Sequence, residues 1–122
     1  MLDLLAIAAH PDDVEQTCGG TLLRAAEAGY RTGIIDLTAG DMGTRGTPEI
    51  RVAESMEAAR ILKLEHRENL HMPDARLQNS LETRKALAIR LRALRPRTVI
   101  LPYWEGRHPD HYRASEIGYE AC

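Results

Sequence analysis

Ala8-Ala9-His10-Pro11-Asp12-Asp13-Val14-Glu15 closes an apolar run and opens a helix-forming one. Residues 2–9 are apolar apart from Asp3, the pattern of a strand buried in a parallel sheet. Pro11 fixes its own φ and keeps His10 out of the helical region. Two carboxylates follow, and Gly19-Gly20 lead into an amphipathic segment. Strand, polar turn and helix make the βα unit of an open α/β sheet, whose ligands sit beyond the carboxyl ends of the strands. If the turn after Pro11 is helical, His10 and Asp13 converge on one point with Asp12 beside them. That is half of a zinc site. The same residues also suit a plain helix cap with Asp12 or Asp13 as N-cap.

The other half comes late in the chain. Residues 97–101 read as a second buried strand, and His108-Pro109-Asp110-His111 repeats the first motif's shape. Two such turns after two strands can close a metal site from both sides of a crevice.

The chain of 122 residues predicts one α/β domain over residues 1–122. A net charge of −2 gives no pull toward nucleic acid or a membrane surface. No apolar run reaches the ~20 residues of a membrane span, and the start has no basic region with a cleavage site, so a cytoplasmic location is expected. Cys18 and Cys122 have no CxxC spacing and predict no disulfide framework.

Between the two motifs, residues 20–28 predict a helix stopped at Gly29, and 32–37 a strand. Residues 38–47, rich in glycine and threonine, predict a long functional loop. Thr47 and Pro48 open a helix as N-cap and N1, with Val52, Met56, Ala59 and Leu62 on its apolar face and Arg51 near its start. Residues 68–70 read as a short strand, and 72–76 as a turn. Asn79 or Ser80 caps a further helix with a stripe of Leu81, Leu87, Ala88, Leu91 and Leu94, ended by Pro96. Residues 114–122 predict a last helix. The alternation implies a Rossmann-like, doubly wound parallel sheet in three α/β/α layers, with the first and fourth strands adjacent at the switch point.

His10, Asp13, His108 and His111 are four ligand candidates. A catalytic zinc uses three and leaves a position open for water, and spacing does not say which one is spare. Asp12 is placed to act as general base. A spare histidine, held by Asp110, would stabilise an oxyanion or protonate a leaving amine. Two histidines and a carboxylate also suit non-haem iron; zinc is favoured because a base is at hand. The chemistry is metal-assisted hydrolysis of an amide or ester.

The chain resembles the LmbE-like (PIG-L) zinc-dependent N-deacetylases. The matching motifs are AHPDDVE with GGTL, DLTAGDMGTRGTPEIR, and RHPDHYRAS. The GTRGT loop and RHPDH look most like the branch acting on N-acetylglucosaminyl-malate in bacillithiol synthesis. The resemblance implies Zn²⁺ held by His10, Asp13 and His111, with Asp12 as base and His108, oriented by Asp110, as electrostatic stabiliser or acid. It implies that Arg51 grips substrate, that Asp74 lies near sugar hydroxyls, and that the substrate is a small amino sugar. Members of the family are about twice this length. The chain is therefore expected to be the N-terminal part of a longer deacetylase domain, impaired alone and self-associating as a homo-oligomer.

A phosphoacceptor receiver domain is one rival, since Asn69-Leu70-His71-Met72-Pro73 echoes its Asp-x-x-Met-Pro site. Asn69 replaces the acceptor aspartate, however, and HPDH would be unexplained. A non-catalytic metal-binding module is the other.

Overall fold

The computed structural model describes residues 1–43 and 45–122; Thr44 of the predicted glycine loop lies outside the described residues. Four strands, β1 (Leu4–Ala8), β2 (Thr32–Thr38), β3 (His66–Met72) and β4 (Thr98–Ile100), alternate with four helices. The helices are α1 (Asp13–Glu27), α2 (Pro48–Ile61), α3 (Leu81–Leu94) and α4 (Pro109–Ala121). The sheet is parallel in the order β3-β2-β1-β4. β1 and β4 are neighbours, as predicted, and the chain reverses its winding between them.

Apolar residues divide between the two sheet faces. Leu5, Ile7, Ile35 and Leu37 pack with Leu87, Leu91, Ala114 and Ile117 from α3 and α4. Ala6, Ala8 and Ile34 pack with Val14 and Leu22 from α1, and Leu62 and Leu64 join them. β2 is buried along its whole length, which its central position requires.

Several boundaries depart from expectation. α1 begins at Asp13 rather than residue 20, so Gly19 and Gly20 lie inside it. A kink at Cys18 (φ −140°, ψ 18°) separates its first turn from the rest. α4 begins at Pro109 rather than residue 114, with the His108 side chain as its cap. Both HPDx motifs are thus helix starts. β3 is longer than predicted. α2 buries none of its side chains: Val52 and Met56 are 58% and 65% exposed. Its regular spacing implies an inward face, but α2 lies over the outer part of the sheet, touching β3. In α3 only Leu87 and Leu91 of the predicted stripe are buried, while Leu81 is exposed. α1, α2 and α4 all start at one crevice, beyond the carboxyl ends of β1 and β2.

Candidate metal centre and active site

β1 delivers His10 to the crevice, and Asp12 then turns the chain. Its φ of 84° lies in the left-handed region, costly for a non-glycine residue. That turn swings Asp13 back, so its Oδ2 accepts the His10 backbone N–H at 3.0 Å. The same oxygen lies 3.4 Å from His10 Nδ1 and 3.3 Å from His111 Nε2. One ligand atom each from His10, Asp13 and His111 fits within 4.8 Å. Of the four sequence candidates, these three converge on one point.

His10, His108 and Asp110 form a second such group, but there the carboxylate is already engaged. Asp110 is 1% exposed. It accepts backbone N–H groups from Leu77 at 3.0 Å and Ala75 at 2.8 Å, and lies 2.8 Å from His10 Nε2. Burial raises its pKa, but the two amides and His10 together bring it below the usual carboxylate value.

The expected contact between Asp110 and His108 is made by the Asp110 backbone N–H and not by its carboxylate. The Asp110 carboxylate holds His10 instead, and His108 is held by the backbone: its Nδ1 accepts the Asp110 N–H at 3.1 Å. In the neutral ring the proton of His108 is then on Nε2. Its ring stacks on His111, with centroids 5.1 Å apart, and meets His10 edge-on.

Asp74, 6% exposed, is likewise committed to protein groups. It accepts the Met42 N–H at 2.7 Å and the Ala75 N–H at 2.9 Å, and its Oδ1 lies 3.0 Å from His10 Nε2. It lines the cavity but braces the glycine loop and His10. Burial lowers the pKa of His10, yet hydrogen bonds to Asp13 and Asp110 and the charges of Asp13 and Asp74 lift it to about 9. The Asp12 side chain caps no backbone N–H of the helix that follows it. Its pKa is raised by burial and by the charges of Asp13, Glu15 and Glu54.

The cavity over these groups measures about 830 Å³. Arg51 is on its wall, where its guanidinium donates to the Gly40 and Arg45 carbonyls and so ties down the glycine loop. Gly43 faces that guanidinium, and a Cβ there would lie 2.6 Å from Nη2. Tyr103 and Trp104 lie elsewhere, tilted against each other with centroids 4.2 Å apart, beside a separate hollow with Leu101 and Tyr119. His66 bonds Glu68, away from the site.

Two imidazoles and a carboxylate whose ligand atoms converge are a donor set for zinc. Carboxylates gathered around one imidazole with a raised pKa favour a cation at that point. The residues fit a divalent metal.

Sequence reasoning missed Arg67. Buried in β3, it donates to Asp36 of β2 and Glu15 of α1. A charged residue inside a central strand, such as Asp36, was the available signal, because it requires a partner.

Comparison with known proteins gives a consistent family. The profile of the PIG-L family, described as GlcNAc-PI de-N-acetylase, matches residues 5–122. Diacetylchitobiose deacetylase of Thermococcus kodakarensis is 33% identical, with 97% of this chain and 48% of that protein covered. The crystal structure of the conserved protein TT1542 from Thermus thermophilus superposes with a TM-score of 0.96 at 55% identity, covering 99% of this chain and 55% of that one. The 4-carboxy-2-hydroxymuconate hydratase of Pseudomonas putida KT2440 superposes with a TM-score of 0.88 at 26% identity, covering 99% and 55%. The chain thus spans about half the length of the relatives it matches. With the profile running through β1, both HPDx turns and α4, the chain belongs to the PIG-L family.

Proposed function

We propose that this chain carries the metal centre of a zinc-dependent N-deacetylase that removes acetyl from an N-acetylglucosamine-type glycoside, with N-acetylglucosaminyl-malate as substrate. The observation that carries the reading is the convergence of His10 Nδ1, Asp13 Oδ2 and His111 Nε2, with Asp12 free beside them. His10, Asp13 and His111 would hold the ion. When bound, zinc polarises a carbonyl and makes water acidic enough to attack at neutral pH.

The chain's own groups supply the rest. The Asp12 carboxylate takes the proton of the attacking water, since it borders the cavity and, among the described residues, caps no backbone N–H of α1. His108, whose Nδ1 accepts the Asp110 N–H, presents Nε2–H toward the developing oxyanion, and Asp12 passes the proton it took from water to the leaving amine. Asp110 keeps His10 Nε2 occupied, which leaves Nδ1 for the metal. Arg51 offers a fork for an anionic aglycone. A ligand carboxylate competes there with the Gly40 and Arg45 carbonyls, so substrate binding and loop position are coupled. The C–N bond of the acetamide breaks; the water oxygen leaves in acetate and the amine carries away the proton.

We place the chain as the N-terminal part of a longer deacetylase domain acting in the cytoplasm on a small amino sugar, with neither nucleic acid nor membrane as partner. Among the described residues, no helix is long and apolar enough to cross a membrane.

The test is amine release from N-acetylglucosaminyl-malate by zinc-loaded and chelator-treated protein. Zinc-dependent release supports the reading. Zinc binding without amine release from any acetamido sugar would leave a metal-binding module. Hydration of an unsaturated acid instead would align the chain with its hydratase relative.

A further inference from the structure

The first turn of α1 carries the metal-binding carboxylate and follows directly on the free one, yet it is poorly anchored by its own helix. The kink at Cys18 disconnects residues 13–17 from the remainder of α1. Upstream, the turn hangs on Asp12, whose left-handed backbone is unfavourable unless surrounding structure imposes it. Val14 sets its depth by burial, but a single apolar contact does not fix its rotation.

Glu15 supplies what is missing. Its two oxygens accept from Arg67 Nη1 at 3.0 Å and Nη2 at 3.3 Å. The Arg67 side chain is 5% exposed and spends its other donors on Asp36, at 2.9 and 3.2 Å, and on the Ser55 carbonyl of α2 at 3.3 Å. One guanidinium therefore ties β3, β2, α2 and the first turn of α1 together. A buried group of two carboxylates and one arginine is a poor device for stability, because apolar side chains of equal volume serve as well or better. Its value lies in direction: a forked donor fixes the orientation of what it binds. Both Glu15 and Ser55 border the cavity, so the clamp lies directly under the site.

We propose that Arg67 is a positioning residue for the metal-binding turn, acting through Glu15. The proposal rests on the metal reading above for its consequence, but the clamp itself is defined without metal. Arg67 touches neither substrate nor metal; it sets where Asp12 and Asp13 stand.

Two measurements on Arg67→Lys, Glu15→Gln and the double variant test it. The first is amide hydrogen exchange of the metal-free chain. Both single variants should exchange roughly tenfold faster at residues 13–17 while residues 19–27 stay as in wild type. The second is zinc affinity by competition with a chromophoric chelator, which should weaken roughly tenfold or more in both. The double variant should be no weaker than Arg67→Lys, because the two residues act as one unit. If Arg67→Lys does not fold, Glu15→Gln leaves Arg67 paired with Asp36 and decides alone. Unchanged exchange at the turn, faster exchange spread evenly over α1, or additive losses in zinc affinity would overturn the clamp. A wild-type chain that binds no zinc sinks the metal reading, and the exchange pattern then still judges the clamp.

Discussion

His10 Nε2 and Asp110 Oδ2 lie 2.8 Å apart although 100 residues separate them in the chain. The contact joins the turn after β1 to the turn after β4. It also divides the two nitrogens of one ring between a buried carboxylate and the proposed metal position.

Asp110→Asn tests that division. An amide can present either its oxygen or its nitrogen to His10, so the ring loses its fixed tautomer. Zinc affinity should fall by about ten- to a hundredfold, and stability should also fall, because Asp110 accepts two backbone amides. Chelator competition measures the first and urea unfolding the second. Wild-type affinity in a folded Asn variant would show that Asp110 does not set the tautomer.

Asp12 and Asp13 should separate cleanly. Asp13→Ala is expected to abolish stoichiometric zinc. Asp12→Asn should retain it and lose turnover by ~10²–10⁴. Metal analysis of the two purified proteins, with amine release, checks this. A metal-free Asp12→Asn would make Asp12 a ligand instead.

The Asp36 carboxyl gives a pH signature. Burial pushes its pKa up from 3.8 to about 6, and Arg67 opposes the rise only in part. Between those values the folded chain holds a proton that the unfolded chain has released. The stabilisation is full below the unfolded pKa and is lost as pH rises through the folded one. The stability of wild type relative to Asp36→Asn should therefore fall by on the order of 2–3 kcal/mol from about pH 4 to pH 7. Urea titrations across that range read it directly. A difference that grows with pH would mean that the arginine outweighs burial.

Arg51→Ala should act on both loop and ligand. With the Gly40 and Arg45 carbonyls released, hydrogen exchange in residues 40–43 and 45–46 should quicken. The preference in kcat/KM for N-acetylglucosaminyl-malate over N-acetylglucosamine should shrink toward unity. Arg51→Lys should restore it only partly, since a lysine offers no fork. Equal rates on both sugars with wild type would remove the anionic aglycone from the proposal.

Self-association is expected at the other end of the sheet. Trp104 and Tyr119 are 67% and 79% exposed beside the edge strand β4, and exposed aromatics next to a strand edge invite pairing. Sedimentation velocity should show concentration-dependent dimers or larger species, reduced in Trp104→Ser. A monomer at all concentrations would discard the homo-oligomer.

The sheet was legible because Ile7, Ile34 and Ile35 belong to apolar runs that a buried parallel strand explains. The residues of the site were legible because each HPDx motif follows such a run. Their connections were not. Spacing places Asp110 beside His108, and only the packing of α4 against the sheet aims its carboxylate at His10. Val52 and Met56 misled for a similar reason: their period is helical, but a helix over the outer part of the sheet has no deep surface to meet. Arg67 and Glu15 are 52 residues apart, and no local pattern relates them.

Three helices begin at the crevice, at Asp13, Pro48 and Pro109. Each brings the positive end of its peptide dipoles, equivalent to roughly half an elementary charge. Asp12, Asp13, Asp74 and Asp110 gather under that field, which offsets part of their mutual repulsion before any cation arrives. The crevice is thus acidic in its side chains and electropositive in its backbone, a combination that suits a cation and an anion held side by side.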